Sequence, residues 1–187
     1  MDLSRYYPER DDTLLLIIDI QERLFSVMDE DVQETVTKNT GILTELSLLY
    51  DIPIIVTEQY PVGLGHTVTE VLDRTIDAEP LEKLYFDCTR DDGIMKAIED
   101  AGKKTVLVTG IETHVCVFQT VLSLLKRGYN VIIASDAVAS RRKHDWKTAL
   151  QTLREAGALV YPTESIAFLM LEIAGTQEFK RISPLFK

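Results

Sequence analysis

The chain has 187 residues, of which 45% are apolar and 27% charged, values typical of a single globular domain spanning residues 1–187. Its formal net charge of −10 disfavours a nucleic-acid-binding protein, because such proteins carry clustered Lys and Arg that meet phosphates. The polar segment before Asp12 lacks the apolar region of a signal peptide, and no apolar run is long enough to span a membrane. We therefore expect a cytoplasmic protein with no nucleic-acid or membrane partner.

Short apolar runs alternate along the chain with longer stretches of helical periodicity. The apolar runs are continuous, which indicates strands that are buried on both faces of a parallel sheet. The predicted strands are Thr13–Ile18, Pro53–Thr57, Thr105–Thr109, Asn130–Ser135 and Ala158–Tyr161, with Lys83–Phe86 as a candidate for a short additional strand. The predicted helices are Asp31–Tyr50, Asp91–Ala101 (after Thr89 as N-cap), Thr113 or His114 to Arg127, Lys143–Glu155, Ser165–Ala174 and the short Glu178–Ile182. This alternation predicts right-handed crossovers and a Rossmann-like, three-layer α/β/α sandwich around a mostly parallel sheet of about six strands.

Two polar side chains follow predicted strands. Asp19 comes directly after the first strand, and Cys116 lies just beyond the Thr105–Thr109 strand, at the start of a helix. Ligands of open parallel sheets bind outside the carboxyl ends of the strands. If these two strands are neighbours at the point where the strand order reverses, Asp19 and Cys116 face one crevice. Lys83 could reach the same edge of the sheet.

The position of Cys116 in the first turn of a helix predicts a reactive thiol. The first N–H groups of a helix have no internal partner, and together with the helix dipole they favour an anion. Both effects are expected to lower the pKa of the thiol and to favour the attacking thiolate. The N–H of Cys116 could also bind an oxyanion. Asp19 would then act as general base and later as acid, while Lys83 would stabilise the thiolate or position Asp19.

Structural roles compete with each of these assignments. An arbitrary cysteine is more often a small core residue, a strand-end Asp often caps a helix, and a single Lys is usually solvated. Asp136 is expected to be such a cap or a turn residue. A Cys–His pair is disfavoured because His114 is two positions before Cys116, and helix neighbours at that spacing point to different faces. His66, in a glycine-flanked loop, could line the crevice instead.

Three motifs occur in order along the chain. They are Asp19-Ile20-Gln21 with Phe25 on the following turn, Lys83 before Tyr85-Phe86, and Gly110-Ile-Glu-Thr-His-Val-Cys116-Val. Together they resemble the isochorismatase-like cysteine hydrolases, a superfamily that includes nicotinamidases, and the resemblance extends from Leu14 to Phe186. The segment Glu58-Gln-Tyr-Pro-Val-Gly-Leu-Gly65 resembles, within it, the branch of isochorismatase domain-containing proteins.

The resemblance implies a mechanism and an assembly. An Asp19–Lys83–Cys116 triad would hydrolyse a C–N bond of a small amide-type substrate through a thioester on Cys116. The resemblance also implies a cis peptide between Ile111 and Glu112, an oxyanion hole formed by the N–H groups of Glu112 and Cys116, and a homo-oligomer (a dimer or larger). From residue type alone, the candidate walls of the substrate pocket are Phe25, Tyr60, Tyr85 and Phe86.

The sequence departs from the nicotinamidase pattern at the expected metal site. Nicotinamidases carry Asp-x-His-x-x-His after the second strand, whereas this chain has Glu58-Gln59-Tyr60-Pro61 and a single His66. A tight site needs several nitrogen and oxygen ligands at fixed spacing. We therefore expect no bound metal and no cofactor, and nicotinamidase activity is disfavoured. Because some true isochorismatases lack the cysteine, Cys116 likewise disfavours their vinyl-ether chemistry.

Two other functions remain open. The fold could serve as a binding or scaffolding subunit with an idle triad. Alternatively, Cys116 could sense peroxide, with Cys88 as its resolving partner if the two sulfurs came within disulfide reach. With only these two cysteines the chain has no disulfide framework, which fits a reducing compartment.

Overall fold

The central element of the computed structural model, which describes residues 3–75 and 78–187, is one parallel sheet. Within these residues six strands are ordered β3-β2-β1-β4-β5-β6, and every neighbouring pair is parallel. The strands are β1 (Thr13–Ile18), β2 (Ile54–Gln59), β3 (Leu81–Lys83), β4 (Thr105–Ile111), β5 (Asn130–Ala139) and β6 (Leu159–Tyr161). The order reverses between β1 and β4, which are direct neighbours.

Helices cover both faces of this sheet. They are α1 (Glu22–Phe25), α2 (Glu30–Leu49), α3 (Pro61–Leu64), α4 (Thr69–Leu72), α5 (Asp92–Asp100), α6 (Phe118–Lys126), α7 (Lys143–Glu155), α8 (Thr163–Leu171) and α9 (Gln177–Ile182). Leu15 and Ile17 of β1 pack with α2, α8 and α9, while Leu14, Leu16 and Ile18 pack with α5, α6 and α7. Because alternate side chains of a strand point to opposite faces, β1 is completely buried between two apolar layers. The predicted three-layer α/β/α sandwich is therefore confirmed.

Several boundaries differ from the sequence-based prediction. Lys83 ends strand β3 and does not begin a strand that runs to Phe86, because Glu82 and Lys83 pair with the end of β2. Strand β5 continues past Ser135 because it stays paired with β4 beyond a register shift. The N-cap of α5 is Asp91, and not Thr89 as predicted, because its carboxylate accepts hydrogen bonds from two N–H groups in the first turn.

The helix that carries Cys116 begins irregularly. Residues Thr113–Val117 form a π-helical turn, and the regular α-helix α6 follows it. Asp136, expected to be a cap or a turn residue, lies within β5 and accepts hydrogen bonds from the N–H and the hydroxyl of Thr163 (2.8 and 2.6 Å). It therefore does cap a helix, α8, but from a neighbouring strand. No helix in residues 3–75 and 78–187 is long and apolar enough to cross a membrane.

Candidate active site

The site begins where strands β1 and β4 end side by side. Ile18 pairs with Gly110, and Asp19 follows with a left-handed backbone conformation (φ 52°). Gly110 has φ 126°, and a Cβ atom on it would lie 2.1 Å from the carbonyl oxygen of Ile18. Only glycine therefore lets the two strands approach directly before Asp19. The expectation that these strands are neighbours at the reversal point is confirmed.

A buried ion pair forms the centre of the site. The Nζ atom of Lys83 lies 2.6 Å from Oδ2 of Asp19, and both side chains are 0% exposed. Lys83 also donates to Oε1 of Gln59 at 2.8 Å, and the hydroxyl of Thr57 donates to Oδ1 of Asp19 at 2.7 Å. Charges are buried only when they are paired and hydrogen-bonded, and here both conditions hold. The surroundings fix the carboxylate in one orientation.

The thiol of Cys116 joins this pair. The charges of Asp19 and Lys83 both act on its thiol, and the residue is 4% exposed. Hydrogen bonds from the N–H groups of Val115 and Val117 to the carbonyl of Glu112 (3.0 and 3.3 Å) open the helix. Neither bond uses the N–H of Cys116, which lies between them in sequence. The structure thus brings Asp19, Lys83 and Cys116 together in one buried cluster.

The protonation of Cys116 differs from the sequence-based expectation. Burial, followed by the negative charge of Asp19, raises the pKa of the thiol above its ordinary value, and the positive charge of Lys83 offsets only part of this effect. The predicted lowering of the pKa by a helix N-terminus is therefore wrong, because the thiol is buried beside a carboxylate. In the free protein at neutral pH, the proton stays on sulfur.

The pKa values of Asp19 and Lys83 are both raised, which suits a proton acceptor at Asp19 and a permanently charged ammonium group at Lys83. Burial raises the pKa of Asp19, although the charge of Lys83 and three side-chain hydrogen bonds act in the opposite direction. Burial is the largest influence and alone would lower the pKa of Lys83, but the charge of Asp19 and the other neighbouring groups together outweigh it, so that the pKa is raised. Lys83 remains an ammonium ion, and the carboxyl group of Asp19 is a stronger base than an exposed aspartate.

The peptide bond between Ile111 and Glu112 is cis. The Glu112 side chain is 8% exposed, and its Oε1 accepts a hydrogen bond from the N–H of Arg141 at 3.2 Å. The Nε atom of Arg141 lies 3.3 Å from the same oxygen. His114, two residues further on, contacts the Ser140 hydroxyl through Nδ1 at 3.0 Å. The segment that leads to Cys116 is therefore tied to the end of β5.

The aromatic pocket-wall candidates occupy three different settings. Tyr60 and Tyr85 are half exposed and line a cavity of about 450 Å³ that also has Lys83 in its wall. Phe86 is half exposed near them in sequence. Phe25 is instead buried in the core layer beneath α2 and lines a separate cavity of about 320 Å³. Their contacts with substrate remain predictions.

His66 does not contact the triad in the described structure. Its Nδ1 atom lies 3.0 Å from Oε2 of Glu58, and its side chain is 74% exposed. The other carboxylate oxygen of Glu58 accepts from the N–H and hydroxyl of Thr67 (2.6 and 2.8 Å). Glu58 and His66 thus fasten the loop after β2. Among the described residues, no three His, Cys, Asp or Glu side chains are grouped as metal ligands would be.

The second cysteine lies in the same apolar layer as Cys116 and is a free thiol. Cys88 is fully buried, and its sulfur is 3.9 Å from the Thr57 hydroxyl. Burial raises the pKa of Cys88 to about 12, so it is a protonated core thiol at neutral pH. Because so little of Cys88 is present as thiolate, this environment does not favour its role as a resolving cysteine for Cys116.

Sequence reasoning missed the polar residues that hold the ion pair. Thr57 and Gln59 alternate at the end of β2, next to β1, and both face the pair. In the sequence, Gln21 stood out only as part of a motif. Its side-chain oxygen accepts a hydrogen bond from the N–H of Gln59 at 2.7 Å, and its side-chain nitrogen donates one to the carbonyl of Gln59 at 3.0 Å. The sequence did contain one signal for these residues: Thr57 and Gln59 are two polar side chains at positions i and i+2 near the end of a buried strand, and so point to the same face of the sheet.

Comparisons with known proteins identify the family of this chain. The isochorismatase domain matches residues 13–165. This chain belongs to the isochorismatase family. Isochorismatase family protein 1A of Dictyostelium discoideum is 38% identical over 183 residues, which cover 92% of this chain and 85% of that protein.

Two solved structures have the same fold. The MAR1 ribonuclease of Caenorhabditis elegans superposes with a TM-score of 0.87 and 29% identity, covering 96% of this chain and 91% of the other. The YcaC gene product of Escherichia coli, described as an octameric hydrolase of unknown specificity, superposes with a TM-score of 0.88 and 23% identity, covering 96% and 89%. This second likeness shows a common fold.

Proposed function

We propose that this isochorismatase-family protein is a cysteine hydrolase that cleaves the C–N bond of a small amide through a thioester on Cys116. The observation that carries the proposal is the buried Lys83–Asp19 ion pair at 2.6 Å, whose two charges both act on the buried thiol of Cys116. An ion pair with a purely structural role would have no reason to lie beside a thiol, and a thiol that only fills the core would have no reason to lie beside a carboxylate. Their combination at the carboxyl ends of β1 and β4 supports nucleophilic catalysis.

Acylation follows from this geometry. Asp19 accepts the thiol proton as the sulfur of Cys116 attacks the amide carbonyl, so thiolate forms only when the electrophile is present. The resulting oxyanion would accept hydrogen bonds from the N–H groups of Glu112 and Cys116. Asp19 then returns the proton to the departing nitrogen, and ammonia or an amine leaves a thioester on sulfur. Lys83 keeps its positive charge throughout and stabilises the carboxylate.

Deacylation uses the same groups in reverse. Asp19, again a carboxylate, accepts a proton from water as the water oxygen attacks the thioester carbonyl. The tetrahedral intermediate collapses, the C–S bond breaks, and the proton on Asp19 returns to the sulfur. The net reaction is amide plus water to carboxylic acid plus amine, which requires no metal or redox cofactor.

The C. elegans neighbour is named a ribonuclease, but features of this chain favour a small amide. The net charge is −10, which opposes the approach of a polyanion. The nucleophile is 4% exposed, so a small substrate reaches it more readily than a nucleic-acid backbone does.

Self-assembly is part of the same proposal. Large apolar side chains are exposed near the carboxyl edge, with Val62 at 86% and Leu84 at 74%. Such patches mark interaction surfaces, and the E. coli neighbour is described as octameric. We propose a homo-oligomer of this chain, to be tested by sedimentation of the purified protein. A cytoplasmic location remains a proposal.

A panel of small primary amides, assayed by ammonia release, tests the hydrolase. We expect wild type to turn over at least one amide, and Cys116→Ala, Asp19→Asn and Lys83→Met to lose that turnover by at least about 100-fold. Cys88→Ser is the matched control, since it changes the other buried thiol of the same layer, and is expected to keep activity. Equal activity in Cys116→Ala would contradict the proposal. Release of nucleotides from RNA that depends on Cys116, without amide turnover, would favour the ribonuclease alternative.

A further inference from the structure

A third cavity opens at the carboxyl edge of the sheet, between the start of α2 and the loop that joins β5 to α7. Its volume is about 540 Å³, within the range of pockets for small ligands. Apolar walls come from Val36, Val138 and Trp146, and polar groups come from Ser140, Arg141 and Lys143. Its shape and lining are those of a small-molecule site.

This cavity shares its wall with the segment that carries the nucleophile. Ala139, also in the wall, pairs with Ile111 at the end of β4. The Arg141 N–H donates to the Glu112 carboxylate at 3.2 Å, and the next residue towards β5, Ser140, contacts His114. The α7 helix also packs against the π-helical turn of Cys116. The cavity therefore adjoins the segment that leads to Cys116, although its lining includes none of the three triad residues.

The cations of the cavity are available to a ligand. Arg141 uses Nε to contact Glu112, and in the described part of the chain no ion pair or hydrogen bond engages its two terminal nitrogens. Lys143 is exposed at the first position of α7, a 13-residue helix whose N-cap, Arg142, makes no side-chain capping bond. The positive end of the helix dipole and both cations favour an anion here.

Three aspartates also line the cavity, but they do not cancel this preference. Asp136 is committed to Thr163, which donates two hydrogen bonds to its Oδ1. Asp29 and Asp31 are exposed at the N-terminus of α2, where solvent screens their charges, as it does that of Lys143, and the helix dipole compensates them. Arg141 differs from these groups in that its Nε atom is fixed by a contact of 3.3 Å with the buried carboxylate of Glu112.

From these contacts we infer that the substrate of the proposed hydrolase is a small amide bearing a carboxylate at the end remote from the scissile bond. Arg141 binds that carboxylate, Lys143 adds positive charge, and Trp146 packs on the connecting chain. This inference rests on the proposed function for the position of the amide. The anion-binding site itself does not depend on turnover, and so the two can fail separately.

Binding tests the site without catalysis, because Trp146 is the single tryptophan of the chain and lines the cavity. Its fluorescence is titrated in the Cys116→Ala protein with succinamate and with butanamide, which have the same chain length. We expect succinamate to bind at least tenfold more tightly, and Arg141→Gln to abolish this difference. Lys126→Gln, which removes an exposed charge at the end of α6 that does not line the cavity, is the control and retains the preference. Equal affinities, or no saturable change with either compound, would overturn the site.

Turnover tests the substrate class. In wild type we expect kcat/KM for succinamate to exceed that for butanamide at least tenfold, with a smaller ratio in Arg141→Gln and partial rescue in Arg141→Lys. Preference for butanamide with intact turnover would overturn this inference and leave the proposed hydrolase standing. Tight binding of succinamate without turnover of any amide would support the anion site and count against the hydrolase.

Discussion

Replacing Lys83 by methionine, which keeps the length of the side chain and removes the charge, tests the energetics of the buried pair. Asp19 would lose its ammonium partner at 2.6 Å while staying fully buried. Two unit charges at this distance attract by about 6 kcal/mol in an effective dielectric of about 20. Desolvation of both groups offsets part of that attraction. The net cost of breaking a buried pair by removing one partner is about 3–5 kcal/mol, which we expect for Lys83→Met at neutral pH.

The same change makes stability depend on pH. Burial already raises the pKa of Asp19, and without Lys83 it will rise further. A raised pKa in the folded state means that the stability is fully present below the unfolded value, near 3.9, and is lost as the pH rises towards the folded value. Lys83→Met should therefore lose up to about 1.4 kcal/mol per pH unit above about pH 4, until its Asp19 ionises. Wild type shares this loss only up to its own, lower Asp19 pKa, so the deficit of the variant grows above that pH.

Urea unfolding of four proteins measures this coupling: wild type, Lys83→Met, Asp19→Asn and the double variant. At pH 7.5 we expect each single variant to be strongly destabilised, and the double variant to be more stable than the sum of the two by at least about 2 kcal/mol. At pH 4 the deficit of Lys83→Met should shrink. Additive effects, or a deficit that does not change between pH 4 and pH 7.5, would refute the idea that this pair is held together by its charges.

Three further predictions concern the surroundings of the pair. Asp19→Asn should lower the pKa of the Cys116 thiol, because the carboxylate helps to raise it; an unchanged or higher pKa, measured from the ultraviolet absorbance of the thiolate as the pH rises, would contradict this. Thr57→Val should lower the free energy of unfolding by about 1–3 kcal/mol and move the acid limb of the pH–activity profile to higher pH, because Asp19 loses a hydrogen bond. Thr109→Val is the control for urea unfolding: the Thr109 hydroxyl is buried without a partner in the described structure, so its loss should leave the free energy of unfolding almost unchanged. Gly110→Ala should destabilise by more than about 2 kcal/mol, because its Cβ would collide with the backbone of β1; a stability within about 0.5 kcal/mol of wild type would disprove the close approach.

The sheet and the strand-end residues were predictable because continuous apolar runs and their carboxyl ends are visible in the sequence. Asp19 and Cys116 follow β1 and β4, and the parallel topology then places them at one edge. Lys83 was found by resemblance, since three residues of β-structure give a weak pattern. Its place at the end of β3 depends on pairing with β2, which no local signal encodes.

The protonation state of the nucleophile could not be predicted in this way. The helix-start argument for Cys116 used its position along the chain, whereas its pKa depends first on burial and then on the charge of Asp19. Both are properties of the packed structure. Thr57 and Gln59 were missed for a related reason, since their contacts with Asp19 and Lys83 cross from one strand to another. The sequence pattern was sufficient to locate the site at the carboxyl edge of the sheet, whereas the protonation states of its residues depend on side-chain packing.

Trapping the acyl-enzyme tests the central proposal most directly. The protein is mixed with p-nitrophenyl acetate, quenched in acid within milliseconds to seconds, and mapped by mass spectrometry for an acetyl group on cysteine. We predict an acetyl thioester on Cys116 that forms and decays in wild type, and no comparable adduct on Cys88, the protonated core thiol. Ester hydrolysis that proceeds without any adduct on Cys116, or an adduct confined to Cys88, would contradict a mechanism in which Cys116 is the nucleophile.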